Sequence, residues 1–356
     1  MSHSNEKSKN QELMTEDQYY VGFVSATAIS EDMLYVAGAF YNDPIDPITQ
    51  ATRVYVYNPD MEGEWFYHDV EGQVIDLCFM PPMHNKPRVG CALVADANEV
   101  EFFNSTEHYF ETIHKPQSLR DITINALKFL DGNLYAVGSD AAIFRREKSN
   151  QWKLISENIY QPFEMPDYDT DNRIDSINEM ADSLINRVEI CNLTKTVTGS
   201  YWAVGHEGFV AVADSDLQWE RIEMPYQEDY LGILEADNGN VWITGSGGVL
   251  LYGNKQNGFR DMAGNDNDQC FGPICRYGDD LILGAWEGLF IYTDGIIKRL
   301  ITHTKLDKGG GTLPIMKVEV VNKTIWVVCD RAIFKYNGKH WQEIKHPDTE
   351  PLPNSL

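Results

Sequence analysis

Four aspartates at alternating positions carry the ligand type that hard cations prefer. Asp167, Asp169 and Asp171 occupy places one, three and five of a twelve-residue loop, and Asp175 occupies place nine. Calcium-binding loops place carboxylate oxygens at these positions, so the spacing predicts a calcium site. The twelfth place, where a bidentate Glu is expected, is Asn178. The match is therefore partial, and a solvated acidic loop or a partner-binding insertion stays open as an alternative.

A second set of polar side chains lies in short turns between apolar runs. His206 and Glu207 lie in GHEG, Ser246 lies in GSGG, and Trp286 and Glu287 lie in AWEG. Because these turns occur at matching points of a repeated pattern, we expect their side chains at one end of the fold. Carboxylates beside His and Trp suit the docking of a basic protein. Ordinary solvated turns are the alternative.

No catalytic motif accompanies these residues. The chain has no Gly-x-Ser-x-Gly elbow, no His-Glu-x-x-His pair and no Walker loop. No Lys-Ser/Thr pair ends the glycine turns, so their glycines are expected to supply positive φ in hairpins rather than to cradle phosphate. Cys270 and Cys275 have no matching Cys or His pair for zinc, and His68 and His108 show no regular pairing. We therefore expect a protein without enzymatic activity, and without a cofactor unless calcium binds.

Composition limits the class of partner. The 356 residues include 29 Lys and Arg against 54 Asp and Glu, which gives a net charge of −25. This charge repels phosphate backbones, so nucleic-acid binding is disfavoured and a basic protein partner is favoured. No apolar stretch is long enough for a membrane span, and no secretory signal is recognisable. With six scattered cysteines that look like buried thiols, these features predict a cytoplasmic location and no membrane partner.

The turns belong to a pattern that recurs along the chain. In YWAVGHEGFVAVADSDLQWERIEMP, two apolar runs flank a glycine turn, and Trp219 stands fourteen residues after Gly205. LYAVGSDAAIFRREKSNQW and VWITGSGGVLLYGNKQNGF repeat this pattern and end at Trp152 and Phe259. The tryptophans recur on the last strand of each unit, so their expected role is packing between units.

Seven units follow from the position of this final aromatic residue or its equivalent. The positions are Trp65, Phe110, Trp152, Trp219, Phe259, Lys298 and Trp341. Their spacings are 45, 42, 67, 40, 39 and 43, and the single long spacing contains an insertion. A period near forty with four short strands is typical of a propeller blade. The sequence thus predicts an all-β fold, a single seven-bladed β-propeller of four-stranded antiparallel blades, with one acidic insertion between blades 3 and 4. An open β-solenoid or two packed sandwiches are the alternatives.

The same pattern predicts the boundaries of the units. We expect a polar tail at 1–18, a propeller over 19–346 and a C-terminal tail at 347–356. The predicted blades cover about 20–70, 72–115, 119–157, 186–225, 228–263, 270–303 and 312–346, with the insertion at 158–185. The segment YNDPIDPITQA is expected to be a long loop, because its two prolines disfavour a central strand.

The repeated phrase resembles the BNR and photosystem-assembly-factor-like propellers, which include sialidase-like proteins, and also the sensor propellers of two-component regulators. The Asp box of the BNR group is present only in reduced form, as SDLQW at 215–219, NGKHW at 337–341 and EGEW at 62–65. Sialidase chemistry would also require three converging arginines, for which the candidates are Arg187, Arg276 and Arg331. The resemblance therefore implies a fold rather than an activity.

Charge and a closed fold together favour a protein-binding module. A rigid, strongly negative disc suits fast, electrostatically steered capture of a cationic protein. The specific hypothesis is a bacterial immunity or neutralising protein that caps a basic toxin or effector. A scaffold or assembly factor, and a glycosidase or lyase with an axial site, are the competing hypotheses.

Overall fold

Seven four-stranded antiparallel sheets form a closed ring. The computed structural model describes residues 20–43, 46–83, 86–95, 98–113, 122–162, 173–185, 187–264, 268–308 and 313–349. Within each sheet the strands pair in chain order, and the first strand of each blade packs against the first strand of the next. The first strand of blade 7 packs in turn against that of blade 1. The expected seven-bladed all-β propeller is confirmed.

The strands of blades 1 to 4 are β1 (Tyr20–Ala28), β2 (Leu34–Asp43), β3 (Asp46–Tyr57), β4 (Trp65–Val70), β5 (Val74–Met80), β6 (Val89–Val94), β7 (Glu99–Phe103), β8 (His108–Thr112), β9 (Ile124–Leu130), β10 (Asn133–Gly138), β11 (Ile143–Lys148), β12 (Gln151–Leu154), β13 (Ile190–Lys195), β14 (Tyr201–Gly205), β15 (Val210–Ala213) and β16 (Trp219–Arg221). Those of blades 5 to 7 are β17 (Tyr230–Glu235), β18 (Val241–Gly245), β19 (Leu250–Asn254), β20 (Gly258–Asp261), β21 (Phe271–Tyr277), β22 (Asp280–Ala285), β23 (Gly288–Thr293), β24 (Ile296–Arg299), β25 (Ile315–Val321), β26 (Thr324–Cys329), β27 (Ile333–Tyr336) and β28 (Trp341–Ile344). Helix α1 (Arg173–Ile185) lies between blades 3 and 4, and short 3-10 turns occur at Asp237–Gly239 and Lys305–Lys308. Among the described residues, no helix has the length and apolar character needed to cross a bilayer.

The core lies between neighbouring blades, because each sheet has two faces to cover and only the next sheet can cover them. Every residue of β14 and β15 is buried. Trp219 is buried in a cluster that draws on both blade 3 and blade 4, and its indole Nε1 donates to the carbonyl oxygen of Ile155 at 2.9 Å. In this blade the tryptophan therefore has the predicted role of packing against the preceding blade.

The proline-rich segment after β2 is not the predicted loop. β2 and β3 extend into it as one long hairpin, in which Tyr41 stands opposite Pro47 and Asp43 opposite Asp46. The register shifts on both sides of Tyr41. Proline lacks a backbone N–H, and such irregular pairing is where a strand tolerates that loss. The prediction took account of the backbone N–H that proline lacks. It did not consider a bulge, where the strand pairing does not need that N–H.

In the part of the chain that the structure describes, blades 1 and 7 meet without exchanging a strand. Blades 1 and 7 each use four consecutive strands, and the backbone N–H of Phe23 donates to the carbonyl oxygen of Asp330 at 2.5 Å across their junction. The chain after β28 then crosses blade 1. There Trp65 Nε1 donates to the Lys345 carbonyl oxygen at 2.9 Å, and the Tyr55 hydroxyl donates to Asp348 at 2.8 Å.

His346 lies at the centre of this closing segment. Its ring makes edge-to-face contacts with Phe23, Tyr55 and Trp65, with centroids 5.1, 4.2 and 4.6 Å away. Nδ1 accepts a hydrogen bond from the Asp348 backbone N–H at 3.2 Å. Burial lowers the pKa of His346 to about 4. The closing segment is therefore built around a neutral imidazole.

Acidification is expected to weaken ring closure through His346. The pKa of His346 is about 6.5 in the unfolded chain and about 4 in the folded protein, so between these values only the unfolded chain binds the proton. The contribution of neutral His346 to the free energy of unfolding is therefore fully present above pH 6.5 and is lost as the pH falls below it. From pH 7.5 to pH 5, the wild type should lose about 2 kcal/mol more unfolding free energy than His346→Phe, which keeps the aromatic contacts but does not titrate. Urea unfolding of both proteins at both pH values measures this difference. Equal losses in the two proteins would contradict it.

Candidate partner-binding face

One end of the propeller collects the turns predicted to contact a partner. In an antiparallel blade, the turn between the second and third strands lies at the same end as the connection that enters the next blade. Hydrogen bonds join the two: the His206 N–H donates to the Glu189 carbonyl oxygen at 2.9 Å, and the Ser246 N–H donates to that of Asp229 at 3.0 Å. We call this end the turn face. It is formed by the turns 139–142, 206–209, 246–249, 286–287 and 330–332, with the connections 155–162, 187–189, 222–229, 262–264, 268–270, 300–308 and 313–314.

Two glycines shape the turn of blade 4 for different reasons. Gly208 has φ of 70° and supplies the left-handed conformation expected of a hairpin turn. Gly205 lies outside the positive-φ residues, but a Cβ at this position would approach the Glu189 carbonyl oxygen to 1.9 Å. The turn is thus pressed against the segment that enters its own blade. Glu207 also has positive φ, 52°, and its N–H donates to Asp229 Oδ1 at 3.1 Å.

Ser246 organises the acids of the neighbouring connection. Its hydroxyl donates to Glu228 Oε2 at 2.6 Å and accepts from the Asp229 backbone N–H at 3.0 Å. From the adjacent blade, the backbone N–H of Glu207 donates to the carboxylate of the same Asp229. Of the predicted contact residues, Ser246 therefore positions carboxylates, whereas Glu207 and His206 are exposed.

Trp286 is the largest exposed apolar side chain on the turn face. Its side chain is 64% exposed, whereas Trp202, Trp219 and Trp326 are buried. The next residue holds the turn in place: Glu287 Oε2 accepts from Gln269 Nε2 at 3.2 Å, and the Glu287 carbonyl oxygen accepts from Arg299 Nη2 at 3.0 Å. An exposed indole beside a carboxylate, on a turn that hydrogen bonds hold in place, is the kind of anchor that protein interfaces use.

Further exposed apolar side chains lie on the same face, and the sequence patterns did not single them out as contacts. They are Tyr226 and Ile301. Ile174 and Ile177 are also exposed, on helix α1. Exposed apolar groups set among acids indicate a surface that a partner covers.

Carboxylates outnumber basic side chains on the turn face, and several of them are exposed. The exposed acids among its described residues are Glu157, Glu207, Glu223, Asp268 and Glu287. The face also contains arginines that are already engaged. Arg187 forms a bidentate pair with Asp140 at 2.6 and 2.9 Å, and Arg299 donates to two backbone carbonyl oxygens. The free charge offered to a partner is therefore negative.

The predicted calcium ligands are only partly described. Asp167, Asp169 and Asp171 lie outside the described residues, and Asp175 lies in the first turn of α1. Calcium binding by this set stays a prediction. The connection that carries α1 begins and ends on the turn face, since Asp140 N–H donates to the Val188 carbonyl oxygen at 2.6 Å.

A cavity of about 540 Å³ at the axis of the ring is lined in part by Lys128, Lys317 and Glu319, which belong to a charged network that sequence reasoning missed. Asp76 on β5 accepts from Ser25 Oγ on β1 and from the Leu127 backbone N–H on β9, both at 2.9 Å. Lys317 Nζ on β25 lies 3.5 Å from Asp76 Oδ1. Glu319 Oε2 accepts from the Ala28 backbone N–H at 2.6 Å. The network thus joins blades 1, 2, 3 and 7.

The protonation tendencies of this network follow from its charges. Burial opposes ionisation of Asp76, but Lys317 and Lys128 together hold the pKa of that carboxyl below its usual range. Burial raises the pKa of Glu319 and lowers that of Lys128. Burial also opposes the charge on Lys317, but Asp76 and Glu319 keep its pKa above the usual value. The Asp76–Lys317 pair is therefore ionised, and its acceptors are occupied by strand N–H and hydroxyl donors.

The three candidate arginines of a sialidase-like site do not meet. Arg187 and Arg331 lie on the turn face, each beside an aspartate, Asp140 and Asp330. Arg276 lies near the end of β21, 4.0 Å from Asp237, at the opposite end of the propeller. These three guanidinium groups therefore do not converge at the axis as sialidase chemistry requires.

Comparisons with known proteins agree with the fold. No protein-family model matches the chain. A stretch of 217 residues, 60% of the chain, is 22% identical to the immune protein Tsi7 of Pseudomonas aeruginosa, and the match spans 62% of the length of that protein. YCF48 bound to D1 peptide has a TM-score of 0.58 at 12% identity, over 89% of this chain and 95% of that one. The WD40 propeller domain of Doa1 has a TM-score of 0.56 at 11% identity over the same shares. The expected resemblance to propeller proteins is thus confirmed for the fold.

Proposed function

We propose that this chain is a non-catalytic, cytoplasmic, protein-binding propeller of the immunity type, which neutralises a basic toxin or effector by covering it with the turn face. The observation that carries the proposal is the exposed Trp286 on a turn fixed by hydrogen bonds, on a face rich in exposed carboxylates. A basic partner would bury the indole and pair its cations with the acids at the rim. The similarity to an immune protein supports the same class of function.

Two further observations support the non-catalytic, cytoplasmic part of the proposal. Asp76 and Glu319 are bonded to strand N–H groups, so these axial acids serve to hold blades together. The six cysteines are free thiols, as expected for a reducing compartment. Electrostatically steered capture needs no metal ion, so the proposed function does not require calcium.

Trp286→Ala and Glu207→Lys are expected to weaken partner binding for different reasons. Loss of a central indole anchor typically costs at least about 2 kcal/mol of binding free energy, a roughly thirtyfold increase in Kd. Reversal of an exposed charge should act mainly by slowing association at low salt. Matched controls at the opposite end of blade 6, the blade that carries Trp286, are Ile296→Ala and Asp279→Lys, which should bind as the wild type does. Kinetic binding measurements at 50 and 500 mM salt separate the two effects.

The partner itself is accessible by affinity capture of the tagged chain from its native cells. We expect a basic protein whose expression alone arrests growth, and whose toxicity is relieved by co-expression of the wild type but not of the Trp286→Ala, Glu207→Lys double variant. Recovery of a non-toxic assembly component would instead support a scaffold. Recovery of no protein, or of a complex indifferent to salt and to both substitutions, would contradict the proposal.

A further inference from the structure

Two histidines and one glutamate meet at the rim between blades 1 and 2. His68 lies on β4 of blade 1, whereas Glu101 on β7 and His108 on β8 belong to blade 2. In the β7–β8 ladder Phe103 pairs with His108 and Glu101 with Phe110, so Glu101 and His108 are diagonal neighbours on one face. That face meets blade 1, where His68 completes the group.

The three side chains are close enough to share one ion. His68 Nε2 lies 2.5 Å from Glu101 Oε1, and His108 Nε2 lies 3.6 Å from the same oxygen. One ligand atom from each residue lies within 4.8 Å of the others. The His68 ring stacks on Phe103 at a centroid distance of 5.4 Å, which limits its rotation. Modest side-chain adjustment would bring all three atoms to about 2 Å from a common centre.

The second oxygen of Glu101 is an independent indication of a ligand. Glu101 is fully buried, and its Oε2 has no hydrogen-bond partner in the described structure. A buried carboxylate oxygen without a partner is costly, and the hydrogen bond from His68 satisfies only Oε1. A cation at this point would neutralise the carboxylate and give the unpartnered oxygen a role.

We propose that His68, Glu101 and His108 form a site for a divalent transition ion, with Zn²⁺ as the best-matched class. Imidazole nitrogen and carboxylate oxygen are ligands that Zn²⁺ accepts, whereas calcium prefers oxygen alone. Three protein ligands leave at least one position for water, and the exposed His108 places that position toward solvent. The site is independent of the turn face, and its ligands come from two blades.

Its bridging position gives the site a structural consequence. Ion binding to neutral imidazoles and an ionised carboxylate would fasten the outer strands of blade 2 to the fourth strand of blade 1. The ion binds the folded protein and finds no preformed site in the unfolded chain, so it stabilises the fold by mass action. Zinc should therefore raise the unfolding temperature of the wild type.

The test is a Zn²⁺ titration of the full chain, tag-free and stripped with a chelator, in competition with a fluorescent zinc indicator. We expect one ion per chain, with an affinity that falls at least about tenfold in His108→Gln. His108 is exposed, so this substitution should leave the folding of the chain intact. Glu101→Gln, which keeps the shape but removes the charge, should weaken binding similarly. His340→Gln, an exposed histidine in blade 7, is the matched control and should bind as the wild type does.

Two further readouts are tied to the same variants. Co²⁺ bound in place of Zn²⁺ should give visible absorption bands in the wild type that His108→Gln loses. Zinc should raise the melting temperature of the wild type and of His340→Gln, but not of His108→Gln. Failure to find a saturable site at one ion per chain, or equal affinity in the wild type and His108→Gln, would show that His68 and Glu101 form an ordinary hydrogen bond and would overturn the proposal.

Discussion

Asp76→Ala is expected to lower the free energy of unfolding by about 3 kcal/mol or more. The substitution removes the acceptor of Ser25 Oγ and of the Leu127 backbone N–H, and it leaves Lys317 without its closest carboxylate. Each lost partner leaves a buried donor or a cation uncompensated, which costs more than the intact interaction contributes. Because these groups lie on the inner strands of four blades, the loss acts where the ring closes.

Asp76→Asn and Glu220→Ala make this expectation specific. The asparagine keeps the size and one acceptor oxygen but not the charge, so an intermediate loss is expected. Glu220 pairs with Lys255 on an exposed outer strand, and removing such a pair typically changes stability by less than about 1 kcal/mol. Denaturant unfolding of the three variants provides the ranking. If Asp76→Ala is no less stable than Glu220→Ala, the axial network has no structural role.

The repeat was predictable from the sequence because it is a local property. Each blade is one stretch of about forty residues, so the spacing of Trp152, Trp219 and Phe259 reports the unit without knowledge of contacts. The turns of blades 4 to 6 were assigned to one end for the same reason. In each of them the pattern of alternating strands determines the end on which the turn lies.

The axial network was not predictable from spacing, because its members come from blades far apart in the chain. Asp76 and Lys317 are 241 residues apart and meet only when the ring closes. A weaker signal was present: VIDLCFM, INALKFL and IMKVEVV each place a charge inside the apolar first strand of a blade. Such a charge requires a partner, and in a propeller the first strands face the axis. The zinc ligands gave no such signal, since His68 and His108 lie on outer strands where polar residues are common.

The exposed apolar side chains of the turn face mark a second limit of sequence reasoning. Trp286 was named because its turn, AWEG, matches the turns of blades 4 and 5, but Tyr226 and Ile301 lie in connections that have no repeat to compare with. Exposure depends on what the rest of the fold leaves uncovered. The blades could therefore be assigned from periodicity, whereas the surface that a partner would meet required the assembled ring.

Gly205→Ala is expected to cost at least about 3 kcal/mol, although it adds one methyl group and demands no unusual φ. The new Cβ would lie 1.9 Å from the Glu189 carbonyl oxygen and about 3 Å from the Cα of Ile190, both backbone atoms that cannot rotate away. Relief requires β13 and β14 to move apart, and the Gly205–Ile190 pairing lies at the turn-face end of that ladder. The His206 N–H bond to the Glu189 oxygen would be lost with it.

The matched control for Gly205→Ala is Gly272→Ala, since this strand glycine has ordinary φ and no atom within 4 Å of an added Cβ. Alanine there should be neutral or slightly stabilising, because it restricts the unfolded chain without a native clash. Thermal and urea unfolding measure both changes. A partner-binding assay on the folded fraction adds a second criterion, because displacement of the blade 4 turn should weaken binding at Glu207 while Gly272→Ala leaves it intact. If Gly205→Ala is as stable as Gly272→Ala, the turn face is not braced by the close contact between Gly205 and Glu189.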